Sequence, residues 1–496
     1  MGSEEPARVE FPLSADGRRS TSALGRSVVA DALSQTDPAG ALAAGQERNW
    51  RKGYLAHFRR LIEAGLPSGE AAVSVARAGL DSLHSWMRVI DGGGAETGLD
   101  TLRSASARRF PAAVTVKGTG EADRELSVPY RGERLRGDVL LRRLEAWVAA
   151  GIIEPSCADA VRTVAAHPQW LALPGRTVVV LGAGAEVGPL PALLSWGVQV
   201  IGIDLPSPPV WRRVLDTAHH SGGTFTIPVA GQHPAGEAGE VLAECAGLDL
   251  AGDVPAAADW LAAVDGPLVL GNYVYADGAA NVRVSSAVDA LTARLQTARR
   301  DVALAFLATP TDVFAVPPDA VTCSLDAYAA RSTATKAARW ALHTLSGGRL
   351  LCPAYASGAG PGINDSLVPQ QGPNYALAKR LQRWRATVAR HGGATVSLNV
   401  APPTRTRSVL KNRALAAAYA GAHRFGVEVF EPATTRALMA ALLVHDLHTG
   451  GGPAHAHPWE DEAHAAAHGG LWRIPYAPRS ALMIAALLGY RAARTP

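Results

Sequence analysis

The densest apolar runs lie in the middle of the chain and are short. Thr177 to Leu181 (TVVVL) leads into the glycine-rich GAGAEVG, then PLPALLSWG, then VQVIGIDL ending at Asp204 and Leu205. An apolar run of five residues closed by glycine fits a strand buried on both faces, and the next segment fits a helix returning to a second such strand. Similar runs occur at Thr224 to Val229, Pro267 to Asn272, Val302 to Ala308, Arg349 to Ser357 and Ala394 to Val400. Helical stretches separate most of them, at Ser285 to Arg299, Ala329 to Leu345 and Tyr375 to Arg390. Strands alternating with helices predict an α/β fold with a doubly wound parallel sheet of Rossmann type, whose ligands sit beyond the carboxyl ends of the strands.

The flanking thirds read differently. From Ala23 to about Ile90 the apolar spacing is helical, with Trp50, Tyr54, Leu55, Phe58, Leu61 and Ile62 on one face, which is the pattern of a core face. AAVTVKG and ELSVPYRG flank GTGEAD and suggest a small hairpin between Ala112 and Gly132, and helices resume from Asp138 to Ala166. Beyond Val400 the chain turns basic, with Arg405, Arg407, Lys411 and Arg413, and is helical again to about Leu447. The last apolar run, ALMIAALLGY, is too short to span a bilayer and is expected to dock on the core. These shifts divide the chain into a disordered tail (1–20), a mostly helical accessory domain (21–170), a Rossmann catalytic domain (171–447) and a C-terminal loop with a docking segment (448–496).

Composition narrows the field. At 496 residues, 48% apolar and 19% charged, the chain can build a large core. The net charge of +4 comes without a long basic run, so neither nucleic acid nor a membrane surface is expected as a partner. With an acidic and arginine-rich start and no 18-residue apolar span, the chain reads as cytoplasmic, and a homo-oligomer is compatible with it. Cys157, Cys245, Cys323 and Cys352 are far apart, which favours buried reduced thiols over disulfides or a zinc site. Six histidines between His445 and His468 raise a metal site, but their irregular spacing among Gly, Pro and Ala favours a solvated loop.

Two constellations carry candidate chemistry. Gly182, Gly184 and Gly188 allow close backbone approach after a strand, and Asp204, 22 residues beyond Gly182, stands where a carboxylate accepts hydrogen bonds from ribose hydroxyls. Farther on, Tyr375 and Lys379 lie four residues apart at the start of a helix, on one face. An ammonium near a phenol stabilises the tyrosinate and suits the tyrosine to general acid or base work.

Together these residues make the stretch from Pro174 to Ser408 resemble the short-chain dehydrogenase/reductase superfamily, with its glycine turn, its YxxxK helix and its Pro-Gly loop after the following strand. The resemblance implies an NAD-dependent oxidoreductase that interconverts a carbonyl and an alcohol of a small-molecule substrate. It assigns the proton transfer to Tyr375, binding of the nicotinamide ribose to Lys379, and the carbonyl contact to Ser357, with Ser366 as the alternative. Pro402 and Pro403 fall where the family's Pro-Gly loop meets the cofactor, and Asp204 favours NAD over NADP because a carboxylate repels a 2′-phosphate. The family's asparagine stretch has two counterparts here, GNYVYADG with Asn272 and ATPTD near Thr309. The glycine spacing LGAGAEVG departs from the family's, and no asparagine occurs between Val282 and Ile363 to complete its proton relay. Two other readings use the same residues: an S-adenosylmethionine-dependent methyltransferase, whose ribose Asp204 would serve equally well, and a non-catalytic dinucleotide-binding protein.

Overall fold

The computed structural model describes residues 7–14, 17–105, 112–231, 239–358, 360–452 and 454–494. Its centre is a seven-stranded sheet of β1 (Ala112–Lys117), β2 (Thr177–Leu181), β3 (Gln199–Ile203), β4 (Thr224–Val229), β5 (Leu268–Asn272), β6 (Val302–Ala308) and β7 (Val396–Val400), in the spatial order β7-β6-β5-β2-β3-β4-β1. All neighbours run parallel except β1, which pairs antiparallel with β4 at the edge. The sheet is flanked by helices, an arrangement compatible with a Rossmann-like α/β fold. The order reverses between β2 and β5, which puts a crevice at the carboxyl ends of those two strands.

The buried runs serve two cores at once, because successive strand residues point to opposite faces. Val178 and Val180 join one apolar cluster with Val200, Val269, Ala303 and Trp211, whereas Val179 and Leu181 join another with Ile203, Leu270, Leu304 and Phe306. The second cluster is continuous with the N-terminal helices α1 (Thr21–Leu33), α2 (Trp50–Gly65) and α3 (Gly69–Trp86). They pack on two helices of the sheet, α4 (Ala279–Ala298) and α5 (Gly372–His391). Gly79 makes this approach possible: a Cβ there would lie 2.4 Å from the Trp384 ring.

Several expectations are corrected. Arg8–Glu10 is a strand paired with Arg88–Ile90, while residues 1–6 and 15–16 of the expected tail lie outside the described residues. Ala112–Lys117 forms no local hairpin and instead adds to the main sheet, leaving Val128–Tyr130 to pair with Glu133–Leu135. Arg349 to Ser357 is not a strand, since Leu351 is left-handed (φ 52°) after two positive-φ glycines and Pro353 cannot donate to a ladder. Of the four thiols only Cys157 is fully buried, and Cys323 is exposed. Among the described residues no helix is long and apolar enough to cross a membrane. No group of three or more potential ligands among them could hold a metal ion.

The histidine-rich segment also departs from a solvated loop. His468 is fully buried, stacked on Trp472 (4.6 Å between ring centroids), with Nε2 2.8 Å from Glu154. Arg473 makes a paired contact to the same carboxylate at 3.0 and 2.7 Å. Three helices of the C-terminal part are α6 (Arg413–Gly421), α7 (Pro432–Thr449) and α8 (Pro478–Gly489). The last of these docks on α6, but Met483, Leu487 and Leu488 on its outer face stay exposed.

Helix α5 is polar in an unusual place. Asp312, just past β6 and 1% exposed, receives Arg380 at 2.9 Å and Arg383 at 2.6 Å. Arg383 also pairs with Glu462, donates to the Val313 carbonyl at 2.9 Å and covers the Phe314 ring. Nearby on the same helix, Arg385 makes two 2.7 Å bonds to buried Asp289, which also meets His84. Removing one member of such a network strands the other buried charges. Arg383→Leu is therefore expected to cost about 3–5 kcal/mol, read as a lower denaturant midpoint.

A second expectation concerns acid. Burial alone would raise the Glu154 carboxyl, but hydrogen bonds from His468 and Arg473 overcome it and bring it down to about 2. A carboxyl depressed in the folded state stabilises the fold above its unfolded value and loses that contribution as pH falls through its folded one. Thermal midpoints should thus drop between about pH 4.5 and 2, and Glu154→Gln should flatten that dependence while lowering the midpoint at pH 7.

Candidate functional site

The carboxyl ends of β5 and β6, with the first turns of α5 above them, bring the sequence candidates together. Asn272 closes β5 and is buried; its Oδ1 accepts from the Val274 N–H at 3.4 Å and from Gln382 Nε2 at 3.3 Å. Gln382 Oε1 in turn accepts from Lys379 Nζ at 3.1 Å, and the same ammonium donates to the Leu307 carbonyl of β6 at 3.2 Å. Asn272 and Lys379 are therefore joined through Gln382, a residue that no motif in the sequence singles out. Burial pushes the Lys379 ammonium down to about 8, with Asp312 partly opposing it.

Tyr375, one turn earlier on α5, lies beside Thr309, the residue that follows β6. Thr309 and Thr311 share a hydroxyl contact of 2.9 Å, and Gln371 Nε2 donates to Thr311 at 2.7 Å. The Tyr375 ring meets Tyr275 edge-on at 6.1 Å between centroids. Burial is the largest influence on the phenol and carries it up to about 12, with Thr309 acting the other way. At neutral pH the group is a protonated donor.

Ser357 does not reach this site. It is exposed in the loop that replaces the expected strand, and Ser366 is buried with its hydroxyl donating to Asn364. The strand that precedes the Tyr375 helix in the sheet is β6, so the hydroxyl beside Tyr375 belongs to Thr309. The residues between β6 and α5 add no strand to the main sheet. Pro402 lies buried just past β7, where its carbonyl accepts from Thr404 Oγ1 at 2.8 Å.

The glycine turn lies alongside. Gly182 is left-handed (φ +83°), and a Cβ on it would come within 2.8 Å of the Tyr273 carbonyl, which follows β5. A Cβ on Gly184 would lie 2.4 Å from Val210. Both glycines are thus required by the packing of the protein itself. Asp204 accepts from the N–H groups of Gly184 (2.7 Å) and Leu205 (2.8 Å), so the acid at the end of β3 fastens the turn. Burial raises its carboxyl in spite of these bonds and of Arg213 nearby.

Three guanidinium groups surround this turn. Arg213 donates to the Gly184 carbonyl at 2.8 Å, Arg436 of α7 donates to the Glu186 carbonyl at 3.1 Å, and Arg407 lies 3.6 Å from the Glu186 carboxylate. The Arg407 N–H also donates to Glu186 at 2.9 Å, which ties the segment after β7 across to the turn. Burial and the charge of Arg213 both lower Arg436, with Glu186 opposing them. Three arginines against Asp204 and Glu186 leave a local excess of positive charge beside the turn, suited to an anion bound by forked N–H donors. The three arginines come from widely separated parts of the chain and carry no local spacing signal, so only the fold reveals the cluster. No family model matches the chain, and no curated protein matches it.

The turn geometry separates the glycines. Gly182→Ala is expected to cost about 1–3 kcal/mol, from the left-handed backbone and the carbonyl contact. Gly188→Ala, whose nearest neighbours would sit at an ordinary 3.4 Å, should be close to neutral in the same denaturation measurement.

Proposed function

We propose that the protein is an NAD-dependent oxidoreductase interconverting a carbonyl and an alcohol, built on a doubly wound dinucleotide fold similar to that of short-chain dehydrogenases/reductases. The observation that carries this reading is the convergence of Asn272, Lys379, Tyr375 and Thr309 at the carboxyl ends of two adjacent parallel strands. The residues fit a dinucleotide. Arg213, Arg407 and Arg436 offer a diphosphate its donors, and Asp204 retains acceptor capacity for a ribose hydroxyl because a carboxylate has about four lone-pair sites.

The nicotinamide, when bound, supplies or accepts the hydride. The chain's own residues do the rest. Tyr375, protonated at neutral pH, gives its hydroxyl proton to the forming alkoxide during reduction and recovers it during oxidation. Thr309 takes the place expected of Ser357: it stands beside the phenol, with its hydroxyl in contact with that of Thr311, and offers a hydroxyl to the substrate oxygen. Lys379, anchored by Leu307 and Gln382, places a positive charge beneath the same strand ends, where it binds a ribose and favours developing negative charge. Asn272 holds Gln382 and through it the lysine.

Binding and turnover can be separated experimentally. The wild-type chain should bind NADH, followed by its fluorescence, and reduce members of a carbonyl panel. Tyr375→Phe should lose about 10²–10⁴-fold in turnover with NADH affinity nearly unchanged, and Arg436→Ala should weaken NADH binding about tenfold or more. Binding of S-adenosylmethionine with none of NADH, or retained turnover in Tyr375→Phe, would overturn the assignment.

A further inference from the structure

An apolar chamber of about 70 Å³ lies beyond Thr311, bounded by α6, α8 and the segments on either side of them. Leu415, Ala418, Phe425, Val427, Leu471 and Ile474 form much of its wall. Its hydroxyl-bearing neighbours are Thr311, Ser366 and Tyr419. Thr311 links this wall to the candidate site: its hydroxyl lies 2.9 Å from that of Thr309 and accepts from Gln371, one turn before Tyr375 on the chain. The chamber thus reaches, at Thr311, a hydroxyl in contact with Thr309 of the proposed site.

The space is held open by backbone geometry. A Cβ on Gly421 would lie 2.0 Å from the Ala485 carbonyl, and one on Gly489 would lie 2.1 Å from that of Ala417, so α6 and α8 already cross at backbone contact. They cannot approach further, and the side chains they turn toward the chamber include the small Ala418, Ala481 and Ala485. Packed interiors keep few voids larger than a water molecule, and an apolar one gains by taking an apolar group.

Resting on the oxidoreductase reading, we propose that this chamber receives a short aliphatic arm of the substrate, whose carbonyl or hydroxyl carbon lies at Thr309 and Tyr375. At about 70 Å³ the chamber is smaller than the roughly 150 Å³ that admits a benzene ring, so the arm is a chain of a few carbons rather than a ring.

The test uses the full chain and a series of straight-chain primary alcohols from ethanol to octanol, with binding measured by calorimetry in the presence and absence of NADH. Affinity should rise about fourfold per methylene over the first members and then level off. Ala418→Leu and Ala481→Leu, which fill the chamber from its two walls, should each weaken binding of the best alcohol about tenfold or more. Their thermal midpoints and NADH affinity should stay near wild type, and either variant suffices if the other does not fold. Affinity independent of chain length, or unchanged in the folded variants, would overturn the chamber assignment even if carbonyl turnover is found. Length-dependent binding abolished by these variants in a chain without NADH binding or turnover would uphold the chamber as an aliphatic site and reject the oxidoreductase reading.

Discussion

Arg383 lies in the interior with its guanidinium between Asp312 and Glu462, over the Phe314 ring, and much of the molecule is arranged around that one group. Asp312 directly follows the turn at the end of β6, Arg383 is in the middle of α5, and Glu462 comes from the C-terminal region. A single buried network therefore ties the strand end, the helix above it and the last part of the chain. Buried charges of this kind add little net stability over an apolar core, but they tolerate only one arrangement, because any slip leaves a charge without a partner. Burial and the neighbouring Arg383 charge bring Arg380 down to about 10, a measure of how crowded the network is.

That constraint sets the geometry of the candidate site. With Arg380 and Arg383 pinned to Asp312, the adjacent turn of α5 must present Lys379 to the Leu307 carbonyl and Tyr375 to Thr309. The polar residues of the site then stand on two rigid elements, a central parallel strand and a helix anchored beneath it. The proposed chemistry needs that rigidity, since a proton donor and a carbonyl contact must hold their places to within fractions of an ångström. The glycine turn is fastened separately, by Asp204 accepting from the Gly184 N–H, and the segment after β7 is tied to it through Glu186 and Arg407. The crevice between the two halves is therefore bounded by groups the protein holds in place through its own hydrogen bonds.

The elements that were legible in the sequence share one property: their signal is local. β2 to β7 announced themselves as short apolar runs separated mostly by helical stretches, and α5 by its periodicity with Tyr375 and Lys379 on one face. The elements that were not legible depend on partners far along the chain. Arg349 to Ser357 has the composition of a strand, yet the left-handed Leu351 and Pro353 deny it a ladder, and with it Ser357 leaves the candidate site. Ala112–Lys117 alternates like half of a hairpin, but its partner is β4, more than a hundred residues away. His468 sits on a Gly, Pro and Ala background that reads as a loop, and only contact with Glu154 makes its burial possible.

By itself, then, the sequence determined the alternation of strands and helices, the turn at Gly182 and the shared face of Tyr375 and Lys379, because each follows from backbone preference and side-chain period over a few residues. Only the tertiary structure decided which strand end faces Tyr375, that Thr309 rather than Ser357 stands beside it, and that Arg213, Arg407 and Arg436 gather at the glycine turn. Those outcomes rest on long-range pairing of buried charges and strands, whose energies depend on distance in space and leave no trace in local order along the chain.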